Sequence, residues 1–195
     1  DRERVQIEDD SSDTDMNTLT KGGMPVSIAQ EYVNLLELFL ANGVGRVEAK
    51  LKVAEMFSPP RVTAQLQHTP VLNLGAGMTF DLRVDQHGNS WDFLLAADRE
   101  RARRMIARDK PYVVVGSPPC TWYSRLTMMN FSRMEPEKLK RKRAEAKILL
   151  DFALEIYELL LRAGRHFLHE HPATATSWES ERVKKMLAHP RVGSV

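Results

Sequence analysis

Three consecutive valines, Val113, Val114 and Val115, run into Gly116, Ser117 and the pair Pro118-Pro119. So short an apolar run, cut off by prolines, reads as a strand buried on both faces. Proline fixes φ and has no N–H, so the hydrogen-bond ladder stops there and a stiff turn follows. Cys120, the single cysteine, stands at the end of that turn. Strands buried on both faces belong to parallel sheets covered by helices, so this one segment implies an α/β chain.

The flanking pattern agrees. Residues 51–57 read as a first strand, ended by Ser58-Pro59-Pro60, with a helix over 62–68. Residues 78–82 read as a second strand, Gly88-Asn89 as a turn, and 92–108 as a helix with arginines outward. After an irregular stretch over 121–135, residues 136–163 form a long helix, basic at first and then apolar, closed by Gly164. Residues 166–170 are the fourth strand, stopped by Pro172, and 178–187 begin another helix. Apolar residues at helical spacing place a leading amphipathic helix over 27–41. With 195 residues, 43% of them hydrophobic, the chain can bury one real core.

Residues 1–24 are polar and acidic and read as a disordered segment, leaving 25–195 as the folded domain. The first 16 residues hold seven acids and two bases; without them 26 bases face 19 acids, a net +7 that suits a polyanionic partner. No apolar run is long enough to span a membrane. A lone cysteine excludes an internal disulfide and points to an intracellular setting. The first residues do not read as a signal peptide, and without an initiator Met the chain is expected to be excised from something longer.

In a parallel sheet the reactive crevice lies beyond the carboxyl ends of the strands. Phe57, Asp81, Cys120 and Glu170 fall there. Cys120 is a nucleophile held on a rigid turn, or else a small buried hydrophobe. Glu170 is a carboxylate whose pKa burial would raise into the range for proton transfer, or else a salt-bridged strand-end acid. His169 and His171 flank it, but alternate residues of a strand share a face while Glu170 points away, so no metal site is expected. A cysteine hydrolase using His166, His169 or His171 as base is a further reading, which needs an imidazole within hydrogen-bond reach of Cys120. Two basic stretches remain. Arg99, Arg101, Arg103, Arg104 and Arg108 read as a solvated helix face. Lys138, Lys140, Arg141, Lys142, Arg143 and Lys147 follow the Cys120 loop and are better placed to hold phosphates. Trp122, Tyr123 and Phe131 are either base-stacking rings or core.

Residues 113–124, VVVGSPPCTWYS, resemble the nucleophile segment of the DNA cytosine 5-methyltransferases, an apolar strand followed by Gly-x-Pro-Cys-Gln-x-x-Ser. Residues 149–172 are similar to that family's next helix and the strand ending in Glu-Asn-Val, and residues 51–58 to its first strand and cofactor phenylalanine. Phe80-Asp81 and Trp91-Asp92-Phe93 stand where the family carries its two cofactor-contacting acids. The resemblance implies a Rossmann-like methyltransferase fold, a mostly parallel sheet flanked by helices, incomplete here because the family's Arg-x-Arg segment and target-recognition region would follow Val195. It implies S-adenosylmethionine as cofactor, touched by Phe57, Asp81, Asp92 and Pro118. It implies Cys120 as the nucleophile on a flipped cytosine and Glu170 as the group engaging the ring nitrogen and amine. DNA, or RNA, would be the partner, met by Ser124, Arg125, Lys138, Lys140, Arg141, Lys142 and Arg143, and the nucleus the location in a eukaryote.

The chain departs from the pattern in several places. Thr121 replaces the usual Gln, Pro59 and Pro60 replace the glycines of the cofactor loop, and His171-Pro172 replaces Asn-Val, removing the residue expected to brace the catalytic loop. Gly23-Met24-Pro25-Val26 and the leading helix are similar to the family's final segment, as in a circular permutation, with an ordinary leading helix as the alternative. These departures leave a second function open: an inactive module of the same fold that binds nucleic acid within a larger, mobile-element-like polyprotein.

Overall fold

The computed structural model of the chain describes residues 31, 33–35, 51–68, 74–82 and 90–194. Among these residues four strands form one parallel sheet: β1 (Leu51–Met56), β2 (Leu74–Phe80), β3 (Val113–Gly116) and β4 (His166–His169), in the order β2-β1-β3-β4. Five α-helices are described after β1: α1 (Val62–His68), α2 (Ala96–Asp109), the single turn α3 (Arg125–Met128), α4 (Pro136–Arg162) and α5 (Glu181–Leu187). The α/β class expected from the valine run is what the chain adopts. Residues 1–24, the Gly88-Asn89 turn and most of the leading helix lie outside the described residues; Glu31 and Val33–Leu35 are helical.

The strand order explains why both faces are covered. A parallel crossover is right-handed, so stepping from β1 to β2 places its helix on one face, and stepping the other way to β3 and β4 places helices on the opposite face. Accordingly α1 packs Val62 and Leu66 with Val53, Val113 and Val115, while Ala54, Met56 and Val114 on the other face meet Ile106 of α2 and Leu150, Phe152, Ala153 and Tyr157 of α4. The alternation of Val53 and Glu55 with Ala54 and Met56 is the period-2 signature of a strand buried twice over.

Two boundaries differ most from the sequence reading, while the last helix begins at Glu181 after a short turn over Thr176–Glu179. The second strand runs over Leu74–Phe80 rather than 78–82, because Gly75 and Gly77 conceal it. A β-carbon at Gly77 would stand 2.7 Å from the carbonyl oxygen of Val53, where the β1–β2 register slips. Here glycine serves close backbone approach at an irregularity, the exception to its low strand propensity. Helix α2 begins at Ala96, not 92, since residues 92–95 form a turn first: Asp92 Oδ1 accepts from Leu94 N at 2.9 Å and Asp98 Oδ2 accepts from Asp92 N at 2.8 Å. Helix α4 matches its expected start, with Pro136 in the first turn and Glu135 accepting from Glu137 N and Lys138 N at 2.8 and 2.7 Å.

Three arginines of α2 are structural. Arg99 donates to the carbonyls of Phe93 and Leu94, Arg101 lies over Trp91, and Arg103 forms a two-pronged bond to Glu155 of α4. Arg104 and Arg108 do form the expected exposed face, whereas Arg99 and Arg101 hold an aromatic column of Phe57, Phe93, Phe80 and Trp91 beyond β1 and β2, and Arg103 ties α2 to α4.

Candidate active site

The strand order reverses between β1 and β3, and it is at such a switch point, beyond the carboxyl ends, that open α/β sheets form their binding crevice. Both strands leave the sheet through the same tripeptide: Ser58-Pro59-Pro60 after β1 and Ser117-Pro118-Pro119 after β3. Met56 lies opposite Gly116, and Ser117 N donates to the carbonyl of Met56 at 3.3 Å, so the two turns stand side by side. This duplication is visible in the sequence and marks the crevice walls once the register is known.

The first wall is anchored from below by Glu55, a carboxyl with no exposed surface. Its Oε1 accepts from Arg61 N at 3.0 Å, Thr63 N at 2.7 Å and Thr63 Oγ1 at 2.6 Å. A side chain eight residues upstream thus caps the first turn of α1. Its Oε2 is buried and has no hydrogen-bond partner among the described residues. Prolines 59 and 60 have no N–H, and those of Arg61 and Thr63 are engaged by Glu55. Little is left of the amide cluster with which glycine-rich loops hold phosphates. Phe57, between strand and turn, has φ 66, the left-handed region that a bulky residue enters only under constraint. Its N–H continues the ladder to Phe80 O at 2.9 Å, and its ring meets Phe93 edge-on and is 9% exposed.

The second wall carries Cys120. Beside it, Glu170 N donates to Gly116 O at 3.0 Å, which fixes the start of the segment after β4 against the end of β3. Cys120 and Glu170 therefore belong to adjacent strand ends, and each is partly buried. Burial pushes the Cys120 thiol up, and the nearby Glu170 charge pushes it further. Burial also raises the Glu170 carboxyl.

His171 is where the structure corrects the sequence reading. The sequence reading leaves the Cys120 turn without a bracing residue, but His171 Nε2 lies 2.9 Å from the carbonyl of Pro118, inside that turn. Its Nδ1 lies 2.6 Å from Ser177 Oγ, and both side chains are buried. Burial holds the imidazole neutral, down to about 4, against the opposing effect of the Pro118 bond. His169, facing Tyr157 at 3.1 Å through Nδ1, is held at about 3 by burial and by His171. His166 is bonded to Tyr112 at the far end of the sheet. The described hydrogen bonds of His166, His169 and His171 go to other groups than Cys120, so the histidine-assisted hydrolase reading has no base on the thiol. Among the described residues no three His, Cys, Asp or Glu side chains gather as a metal site.

The stretch after Cys120 is not irregular. Short helical turns over Thr121–Tyr123, Arg125–Met128 and Phe131–Arg133 fold it compactly. Trp122 stacks on Phe131 at 6.2 Å and Arg143 of α4 lies over Phe131 at 5.9 Å, so these rings pair with one another and with a cation. Tyr123 is half-buried, and its hydroxyl is pushed up to about 12 by burial and by Asp151. Ser124 precedes α3 and Arg125 is exposed beside Leu126 and Met129. On α4, Lys140, Arg141 and Arg143 are exposed; Arg141 and Lys142 pair with Glu145 at 3.9 and 3.1 Å, and Lys138 is half-exposed.

The remaining candidates divide. Asp81 directly follows β2 and its carbonyl accepts from Trp91 N at 3.0 Å, whereas Asp92 is exposed and holds its own turn. Pro118 is buried, with its carbonyl on His171. No helix among the described residues is long and apolar enough to cross a membrane. Comparison with family models, curated proteins and solved structures gives no match.

Proposed function

We propose that this chain transfers a methyl group to carbon 5 of cytosine in DNA through a covalent adduct on Cys120. The observation that carries the reading is the placement of Cys120 and Glu170 at adjacent strand ends, a thiol and a carboxyl that are both partly buried, with the Glu170 charge acting on the thiol. Sharing a proton between them gives thiolate and neutral carboxylic acid. The sulfur then attacks carbon 6 of the pyrimidine while Glu170 delivers the proton to the ring nitrogen, so the electron pair displaced from the 5,6 double bond is stabilised and carbon 5 becomes nucleophilic. S-adenosylmethionine, when bound, supplies an electrophilic methyl group to that carbon. Loss of the carbon 5 proton to solvent breaks the sulfur–carbon bond and expels the Cys120 thiolate, while the ring-nitrogen proton returns to Glu170 and from it to the thiolate.

The crevice fits the chemistry of that cofactor. S-adenosylmethionine carries an ammonium and a sulfonium and no phosphate. The turns have lost four amide donors to proline, two more are engaged by Glu55, and a buried carboxyl oxygen of Glu55 has no hydrogen-bond partner among the described residues. Asp81 would take ribose hydroxyls, Pro118 would form a wall, and Phe57 a floor shared with Phe93. The exposed cations Arg125, Lys140, Arg141 and Arg143, with Lys138, Lys142 and Ser124, are the surface for a phosphate backbone. A DNA substrate implies an intracellular, and in a eukaryote nuclear, setting.

One observation favours the second reading, an inactive nucleic-acid-binding module: the Phe57 ring is engaged by Phe93 rather than open to stack on an adenine. Incubation with S-adenosylmethionine and DNA containing 5-fluorocytosine separates the two. A covalent adduct, absent in Cys120→Ser, is the expected outcome. DNA binding without an adduct and without calorimetric binding of the cofactor would instead establish the inactive module.

A further inference from the structure

We propose that Ser177 and His171 are a pair of positioning residues that lock the Pro118-Pro119-Cys120 turn and so set the accessibility of the Cys120 thiol. The carbonyl of Pro118 can only accept a hydrogen bond. At 2.9 Å from it, His171 Nε2 must carry the hydrogen. In a neutral ring Nδ1 is then the acceptor, and the Ser177 hydroxyl, 2.6 Å away, is the donor. Ser177 thereby selects the tautomer that can hold the turn. Without it the ring loses the hydroxyl that favours a proton on Nε2.

The placement makes this bond more than local packing. His171 directly follows Glu170, so its bond to Pro118 ties the segment carrying the carboxyl to the turn carrying the thiol. Prolines leave that turn almost no amide of its own to anchor it, and the buried Ser117 hydroxyl has no hydrogen-bond partner among the described residues. Thr176, next to Ser177, donates to the carbonyl of Tyr123 at 3.2 Å, so one short segment grips the chain on both sides of Cys120. Ala175 and Ser177, both buried, seat that segment.

The proposal rests on Cys120 being the reacting thiol, but its test needs no methyl transfer. Alkylation of the intact chain by iodoacetamide reports Cys120 alone, because there is no other cysteine. Ser177→Ala is expected to speed alkylation about fivefold or more, the effect of one lost hydrogen bond on the closed turn, and to lower the pH of half-maximal rate towards that of an open thiol. Ser180→Ala, which removes the cap on Val183 N in the same region, controls for general loosening and should leave the rate unchanged. His171→Gln keeps a donor near Nε2 and needs no tautomer, so adding Ser177→Ala to it should change nothing further. An unchanged or slower rate in Ser177→Ala, an equal effect of Ser180→Ala, or an additive double variant would overturn the assignment. Failure of methyl transfer with these alkylation results intact would overturn the proposed function and leave the positioning role standing.

Discussion

Thr63 meets one oxygen of Glu55 twice, through its amide at 2.7 Å and its hydroxyl at 2.6 Å, inside a site with no exposed surface on the carboxyl. A helix cap is ordinarily local; this one reaches from the middle of the sheet and fixes the turn between β1 and α1. Thr63→Val keeps the shape and removes one bond, so urea denaturation should show a loss of about 1.5 kcal/mol. Glu55→Ala removes all three and leaves a cavity, and should cost about 3 kcal/mol or more. Equal stability of Glu55→Ala and the parent would show that the turn holds itself.

The electrostatic link between Cys120 and Glu170 predicts a shift that is independent of catalysis. Glu170→Gln removes the negative charge that opposes thiolate formation, so the pH profile of Cys120 alkylation should move to lower pH. An unmoved profile would mean that the two groups do not face the same crevice. In methylation assays the same variant should lose on the order of 10²-fold or more in rate, the usual cost of a lost general acid.

Acid should unfold this protein through its histidines. His169 and His171 are neutral in the fold down to about 3 and about 4, against 6.5 for a histidine in the open chain. Between pH 6.5 and 4 the unfolded chain therefore binds more protons than the native one, and stability falls as pH falls through that window. The combined loss should reach a few kcal/mol, since each pKa unit is worth about 1.4 kcal/mol. Denaturation midpoints at about pH 7 and pH 5, on either side of the open-chain value, measure it. The double variant Tyr157→Phe with His169→Leu should flatten the dependence. A midpoint independent of pH would contradict the burial of both rings.

Gly116 is fixed by packing rather than by conformation. A β-carbon there would stand 2.0 Å from the Tyr157 hydroxyl. Gly116→Ala should cost about 3 kcal/mol by overpacking, with part of it recovered when Tyr157→Phe removes the oxygen. Thermal melts of the two variants decide this; no recovery would place the strain elsewhere.

The two basic helices should part company in a binding assay. Charge removal at Lys140 and Arg141 is expected to weaken DNA binding and to flatten its dependence on salt, by about one unit of slope for each phosphate no longer neutralised. Arg103→Ala should lower the melting temperature instead, because its bonds to Glu155 are gone, and leave the salt dependence unchanged.

Much of this was legible in the residues, for a physical reason. Strands buried on both faces announce themselves by continuous valine and by the prolines that stop them, and the long helix by its proline start and glycine end. The second strand hid because its glycines answer to the Val53 carbonyl on a neighbouring strand, which local propensity does not register. The start of α2 hid because Asp92 and Asp98 cap across a turn containing the exposed Leu94 and Leu95, which resemble helical residues in one dimension. At the site, Cys120 and Glu170 could be named from their positions at strand ends, but the brace could not. A histidine holds a carbonyl in this way only with its proton on the right nitrogen, and Ser177, which faces the other nitrogen, is reached through the fold rather than through spacing.

The twin Ser-Pro-Pro turns carry a consequence for thermodynamics. Each ring restricts its residue in the unfolded chain as well as in the folded one, so the walls of the crevice lose little freedom on folding and almost none when a guest enters. A molecule settling between them would meet a rigid mouth. Its affinity would rise and fall with complementarity of shape and charge, scarcely with the cost of ordering the protein, and structures with and without that guest should superimpose at residues 58–60 and 117–119.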